Sequence, residues 1–200
     1  MVGNDVVDLH DVDADIATYR DRFDERVFRD EEREGIACDE LGRSTRWQYW
    51  AAKEACYKVA KQEDPSTVFS PRAFEVHSDL RWAEVFMPVQ HTSGQFMVIL
   101  EPANDRVHAL AARNTGDFAH VVRGVAPCDP PAQAGSEVRR LAREAVAKHL
   151  DVGVDRVEIT RDERIPKLCF DGERLDASLS LSHHGRWVAY ACDMKGLANG

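Results

Sequence analysis

Two adjacent prolines, Pro130 and Pro131, inside the stretch Cys128-Asp-Pro-Pro-Ala-Gln-Ala-Gly135, limit most sharply what this chain can fold into. A proline cannot donate to a helix or a sheet ladder, and a glycine close by loosens the backbone, so regular structure is interrupted there. The chain is therefore expected to form two halves, residues 1–128 and 136–200. With 44% hydrophobic residues among 200, these halves can bury a proper core. No apolar run approaches the roughly 20 residues that cross a bilayer, and Met1-Val-Gly-Asn-Asp5 lacks the basic and apolar regions of a secretion signal. A cytoplasmic protein without a membrane partner is expected. A net charge of -9 argues against nucleic acid as a partner, because phosphate neutralisation needs a dominant Lys/Arg surface. Cys38, Cys56, Cys128, Cys169 and Cys192 are odd in number and contain no C-x-x-C, which points to reduced thiols rather than a disulfide framework or a thiolate zinc site.

The opening Val2-Gly3-Asn4-Asp5-Val6-Val7-Asp8-Leu9 predicts a short strand bearing carboxylates, followed by an acidic stretch in which Ile16, Tyr19 and Phe23 fall at helical spacing. Residues 46–61 predict the clearest helix, free of Gly and Pro, with Trp47, Trp50, Ala51, Cys56 and Val59 as apolar candidates. Residues 73–113 turn to a β pattern punctuated by Ser93-Gly94 and Asn104-Asp105, which fits an antiparallel meander. Beyond the linker, Ser136 is the expected N-cap of a second helix with Val138, Leu141, Ala142, Ala145 and Val146 as its apolar stripe. Short strands are expected at 157–159, 178–182 and 187–193. Each half thus runs helix first and sheet afterwards, and each closes on a small-residue strand, Ala109-Leu-Ala111 and Ala189-Tyr-Ala191.

Four constellations could carry chemistry. Glu54 and Lys58 share one helical face; taken alone, such a pair is a solvent-facing ion pair worth about 0.3 kcal/mol. Asp5 sits in a strand of Val and Gly, where it either caps a strand end beside solvent or faces a cation. Together, Asp5 and Glu54 match the one or two protein carboxylates that Mg²⁺ takes alongside water and phosphate oxygens. Ser182, His183, His184 and Arg186 at a turn can make charge-assisted phosphate contacts or form an ordinary polar turn. Arg161-Asp-Glu-Arg164-Ile-Pro166-Lys167 reads as a loop that holds phosphate or is simply solvated. No P-loop, Rossmann, nucleophile-elbow or H-E-x-x-H motif occurs, which removes the common nucleotide, hydrolase and metalloprotease readings.

Jointly, Gly3-Asn4-Asp5-Val6-Val7, Phe28-Arg-Asp-Glu-Glu32, Trp50-Ala-Ala-Lys53-Glu54-Ala-Cys-Tyr-Lys58 and Leu181-Ser182-His183 resemble the 4'-phosphopantetheinyl transferase superfamily. The resemblance implies an α+β fold of two pseudo-symmetric halves, each a helix packed on a small antiparallel sheet, with the active site in the cleft between them. It implies transfer of the phosphopantetheine arm of coenzyme A onto a serine of an apo acyl or peptidyl carrier protein, releasing 3',5'-ADP. In its terms, Asp5 and Glu54 hold Mg²⁺ or Mn²⁺ against the pyrophosphate, with Asp8 as a further candidate ligand. Lys58 sits beside the phosphates. Lys53, Ser182 and His183 match coenzyme A contacts, with Arg161 and Lys167 as further candidates, and Glu54 or Glu32 serves as the general base.

The motif order departs from the larger, surfactin-synthetase type, in which the Pro loop and Ser-His turn come first. Here Gly-x-Asp opens the chain and Ser-His closes it, which implies a circular permutation and a monomer with two fused halves. The small acyl-carrier-protein synthase type has the present order and assembles as a trimer, but its chains resemble one half only. Val7 stands where the larger type carries a second acid, and Arg164-Ile165-Pro166 stands where it has Gly-Lys-Pro. Those two departures motivate an alternative: a catalytically impaired module of the same fold that binds coenzyme A or a carrier protein.

Overall fold

A computed structural model describes residues 1–15, 22–38, 43–77 and 86–197. It is α+β, with antiparallel strand pairing throughout the described sheets. In the first half, β1 (Val2–Asp8) is followed by the short helices α1 (Phe23–Val27) and α2 (Asp30–Cys38) and by the long α3 (Arg43–Glu63). Then come β2 (Glu75–Val76), β3 (Met87–His91), β4 (Gly94–Pro102) and β5 (Arg106–Ala112). The expected meander is present, and the chain's first strand joins it at the far edge, giving the order β1-β5-β4-β3-β2. Of the proposed helical spacing near the start, Phe23 opens α1, while Ile16 and Tyr19 lie outside the described residues.

Helix α3 lies across this sheet and is buried on more than one stripe, because Ala51, Ala52, Ala55 and Ala60 let neighbours approach from several sides. The closest approach is at Gly3. A Cβ there would stand 2.0 Å from the Ala55 carbonyl oxygen, so any larger residue would push β1 off the helix. Val7 and Leu9 join Trp47, Val59, Phe74, Phe96 and Val98 in the core between helix and sheet.

The second half begins earlier than the linker. Strand β6 (Val121–Pro127) pairs with β11 (Trp187–Asp193), which pairs with β10 (Ser178–His184). Strand β6, which precedes Cys128, thus shares a sheet with β10 and β11. Gly124 hides β6 from a propensity reading, but a Cβ there would lie 2.7 Å from the Tyr190 hydroxyl, so the glycine makes room for that ring. Each half thus runs strand, helix, then sheet, not helix first. Helix α4 (Ala134–Leu150) starts two residues before Ser136, whose hydroxyl donates to the Gln133 carbonyl at 2.8 Å rather than capping the helix. Its buried stripe is Ala134, Val138, Ala142, Val146 and Ala147. The expected loop at 161–167 is instead the tip of a hairpin between β7 (Val157–Asp162) and β8 (Ile165–Phe170), with Glu163 at φ 54° in the turn and β9 (Glu173–Arg174) completing the sheet. Pro166 is tolerated near the start of β8.

The halves meet along the free edge of β1. The backbone N–H of Val2 donates to Ser178 Oγ at 2.8 Å, that of Asn4 to Ser180 Oγ at 2.9 Å, and that of Asp8 to His184 Nδ1 at 3.1 Å. All three pairs are 176 residues apart, so β10 runs alongside β1 in one fixed parallel register. The side chains of Ser178, Ser180 and His184, on one face of β10, replace the backbone acceptors that a neighbouring strand would offer. Val2, Leu110, Ala112, Phe118 and Ala191 seal the seam with an apolar patch.

Candidate active site

Side chains alternate along β1, so Gly3, Asp5 and Val7 face α3 while Asn4 and Asp8 face the second half. The close fit of Gly3 against Ala55 brings Asp5 beside the helical turn that carries Glu54 and Lys58. Lys58 Nζ donates to Asp5 Oδ1 at 2.8 Å and to the Asn4 carbonyl at 2.9 Å. The expected intrahelical Glu54–Lys58 ion pair is thus replaced by a pair between helix and strand. The Glu54 carboxyl is pushed up to about 7, first by burial and then by the charge of Asp5, with Lys58 opposing. One ammonium between two acids leaves negative charge uncompensated.

Among the described residues no cluster of three or more His, Cys, Asp or Glu could hold a metal ion. Two hard carboxylates are nonetheless the protein share that Mg²⁺ commonly uses, and the raised Glu54 marks a spot where a cation would relieve repulsion, so the donor set fits such an ion.

A cleft opens next to Lys58. A cavity of about 290 Å³ is lined by Tyr57, Lys58, Gln62, Pro166, Ser180 and Leu181, among others. An adjoining one of about 410 Å³ shares Tyr57, Lys61, Arg164 and Ile165 with it. The cleft thus runs between α3 of the first half and the β7–β8 hairpin and β10 of the second, and Lys58, Lys61 and Arg164 give it positive charge in a chain that is acidic as a whole.

The remaining candidate residues lie elsewhere. Lys53 is fully buried and its Nζ donates to both Glu32 oxygens at 2.8 Å and to the Pro71 and Phe74 carbonyls. Glu32 is equally enclosed and also accepts the backbone N–H groups of Arg29 and Val76. Neither is presented to the cleft; together they form an internal tie that pins α2 and the segment before β2 onto α3. Asp8, on the opposite face of β1 from Asp5, accepts two side-chain bonds and one backbone bond from Arg186 and the backbone N–H of His10. Burial pushes its carboxyl up, but the Arg186 hydrogen bonds outweigh that and hold it well below the usual carboxylate range.

Ser182 is buried in the seam, where its hydroxyl accepts from Asn4 Nδ2 at 3.3 Å. His183, next along β10, is exposed and shares the strand face of Leu181, which lines the cleft. Arg161 and Lys167 are not among the lining residues. Arg164 is, and so is Lys61, whose ammonium also holds the Pro65 and Thr67 carbonyls. The reading of the sequence did not single out Lys61, Tyr57 or Arg164 as site residues. Lys61 was findable as the next residue on the face of Lys58, three positions on, whereas Arg164 needed the hairpin geometry.

The family model described as the 4'-phosphopantetheinyl transferase superfamily matches residues 1–111, which is more than half of the 200-residue chain. No curated protein matches the chain. The matched segment holds β1 and α3, and hence Asp5, Glu54 and Lys58. The chain belongs to the 4'-phosphopantetheinyl transferase superfamily.

Proposed function

We propose that the chain moves the 4'-phosphopantetheine group of coenzyme A onto a serine of an apo acyl or peptidyl carrier protein, with Mg²⁺ and with release of 3',5'-ADP. The observation that carries this reading is the convergence of Asp5, Glu54 and Lys58 at the mouth of a cationic cleft, with Asp5 and Lys58 in direct contact. Superfamily membership supports a transferase that works with coenzyme A and a carrier protein.

Coenzyme A would lie along the cleft between the halves, its phosphates meeting Lys58, Lys61 and Arg164. Asp5 and Glu54 would hold Mg²⁺, which when bound supplies positive charge against the pyrophosphate. His183, exposed on β10 two residues beyond the cleft-lining Leu181, would meet a further phosphate of the nucleotide. Glu54 would take the proton of the carrier serine as its oxygen bonds to the β-phosphorus. The bond between that phosphorus and the oxygen of the departing 3',5'-ADP breaks, and Lys58 stabilises the charge left there.

The strand order in the five-stranded sheet and in the β10-β11-β6 sheet supports reading the halves as fused, pseudo-symmetric units in exchanged order. In the first, β1 pairs with the last strand, β5, which pairs with β4; in the second, β6 pairs with β11, which pairs with β10. A strand, a helix and a return meander thus recur, with the small-residue strands β5 and β11 in equivalent places.

The test is incubation with coenzyme A, Mg²⁺ and purified apo carrier proteins, read by intact mass. The carrier should gain one phosphopantetheine, and chelation should stop the gain. Coenzyme A binding without transfer to any of several acyl and peptidyl carriers would sink the enzymatic reading in favour of a binding module.

A further inference from the structure

A polar chain that takes no part in the proposed transfer crosses the seam. It begins at Arg123 on β6, whose Nε and Nη2 donate to Glu101 Oε1 at 3.1 and 2.9 Å. Glu101 Oε2 lies 2.9 Å from His108 Nδ1, the two residues being direct partners on β4 and β5. Asn4 Nδ2 lies 3.4 Å from His108 Nε2 and 3.3 Å from Ser182 Oγ. The chain therefore leaves the second sheet, crosses three adjacent strands of the first, and returns to the second on β10, the strand that carries His183.

Register explains how these side chains meet. Asn4 pairs with Leu110 and Val6 with His108, so Asn4 and His108 are diagonal neighbours on the sheet face turned away from α3. Both are buried, His108 at 1% exposure and Asn4 at 0%. With the Asn4 amide nitrogen turned toward His108 Nε2, that ring atom is the acceptor and Nδ1 is the donor toward Glu101. Asn4 also donates its backbone N–H to Ser180 and accepts Lys58 Nζ at its carbonyl. One residue thus touches the seam on one side and the phosphate-facing lysine on the other. Its Oδ1 is buried with no partner, so among the bonds the structure gives its amide, only those to His108 and Ser182 fix its orientation. Apolar residues would fill this space at lower desolvation cost, and a buried polar chain of this kind serves to select one arrangement over others.

We propose that His108 is a positioning residue for coenzyme A: acting through Asn4, it holds Ser182, and with it the adjacent His183, in place on β10, the strand whose Ser180 and Leu181 line the cleft. This rests on the reading that β10 meets coenzyme A. The Asp5, Glu54 and Lys58 group is held chiefly by the β1–β5 ladder, by the contact of Gly3 with Ala55 and by the Lys58–Asp5 pair, and its one bond to Asn4 is to a backbone carbonyl that the ladder fixes. Loss of His108 therefore weakens nucleotide binding and spares turnover.

The experiment compares wild type, His108→Ala, His108→Gln and Glu101→Ala by calorimetric Kd for coenzyme A with Mg²⁺ and by steady-state transfer to a carrier protein. His108→Ala should raise both Kd and KM for coenzyme A about tenfold while kcat stays within about twofold, the mark of lost ground-state binding. His108→Gln, whose carboxamide can accept from Asn4 and donate toward Glu101, should recover affinity to within about threefold of wild type. Glu101 is 38% exposed and its removal spares the core, so Glu101→Ala gives the same direction of change if His108→Ala does not fold. Unchanged affinity in the folded variants, a fall in kcat with KM unmoved, or a folded His108→Gln without recovery overturns the proposal. The calorimetric arm needs no carrier, so a wild type that binds coenzyme A without modifying a carrier fails the transfer reading alone. A wild type that does not bind coenzyme A overturns both.

Discussion

Arg186 closes on Asp8 across the seam, with Nε–Oδ2 and Nη2–Oδ1 distances of 2.9 Å and a third bond of 3.0 Å from its backbone N–H to Oδ2. The carboxylate is 1% exposed whereas the guanidinium is half in solvent, so the arginine serves the acid more than the reverse. Arg186→Ala leaves a buried carboxylate with only two backbone donors, the N–H groups of residues 10 and 186, and should cost about 3 kcal/mol at neutral pH. The folded Asp8 carboxyl lies below its ordinary 3.8, so its contribution is fully present above 3.8 and is lost as pH falls through the folded value. Urea melts of both proteins between pH 7 and pH 2 should show the deficit of the variant shrinking only at the acid end.

Glu54 behaves in the opposite sense. Its folded value of about 7 exceeds the ordinary 4.5, so the folded state holds a proton that the unfolded chain has given up between those limits. Metal-free stability should therefore fall as pH rises from about 4.5 to 7, by roughly 2 kcal/mol after allowance for solvent screening, and level off above. Glu54→Gln should flatten that slope, as measured by denaturant melts in a chelator.

Transfer itself should collapse in Glu54→Ala, by roughly a hundredfold or more in rate. Removal of a carboxyl that the fold holds at a cost leaves the melting temperature equal to or above that of wild type. Carrier mass and a thermal melt on the same sample check both halves of this expectation.

Lys53 and Glu32 offer a contrast with the motif they belong to. Lys53→Met strands a carboxylate at 1% exposure and should cost about 4 kcal/mol, while Lys53→Met combined with Glu32→Leu recovers much of it. The double variant should keep the KM of wild type for coenzyme A, because neither side chain reaches the cleft. A raised KM in that folded variant would restore Lys53 to the binding site.

Arg164→Ala should raise KM for coenzyme A roughly tenfold with kcat little changed. Arg161→Ala and Lys167→Ala should each stay within about twofold of wild type, since neither lines the cavity. Steady-state kinetics on the three variants separate them.

Much of the fold was legible because it is written locally. Strand β1, helix α3 and the meander follow from propensity, periodicity and turn residues, and the alternation of β1 already put Asp5 and Asp8 on opposite faces. Strand β6 was missed because Gly124 and Pro127 read as breakers, whereas the glycine answers to Tyr190, distant in sequence. The motif Trp50-x-x-Lys-Glu-x-x-x-Lys58 looks uniform along the chain, yet helical geometry sends Lys53 into the core and Lys58 to the cleft. Only the packing of α2 against α3 discloses that Glu32 waits there for Lys53. The same limit applies to Arg164, whose place depends on a hairpin turn and on the way two halves meet.

The hydroxyls and imidazole of β10 along β1 have a further consequence. An outermost strand with open amides invites any extended chain to dock and grow an aggregate. Here Ser178, Ser180 and His184 fill those amides without supplying a strand ladder that could be swapped for another. If the two halves were prised apart, the seam would expose a ready template, and self-association would be the first sign that it had opened.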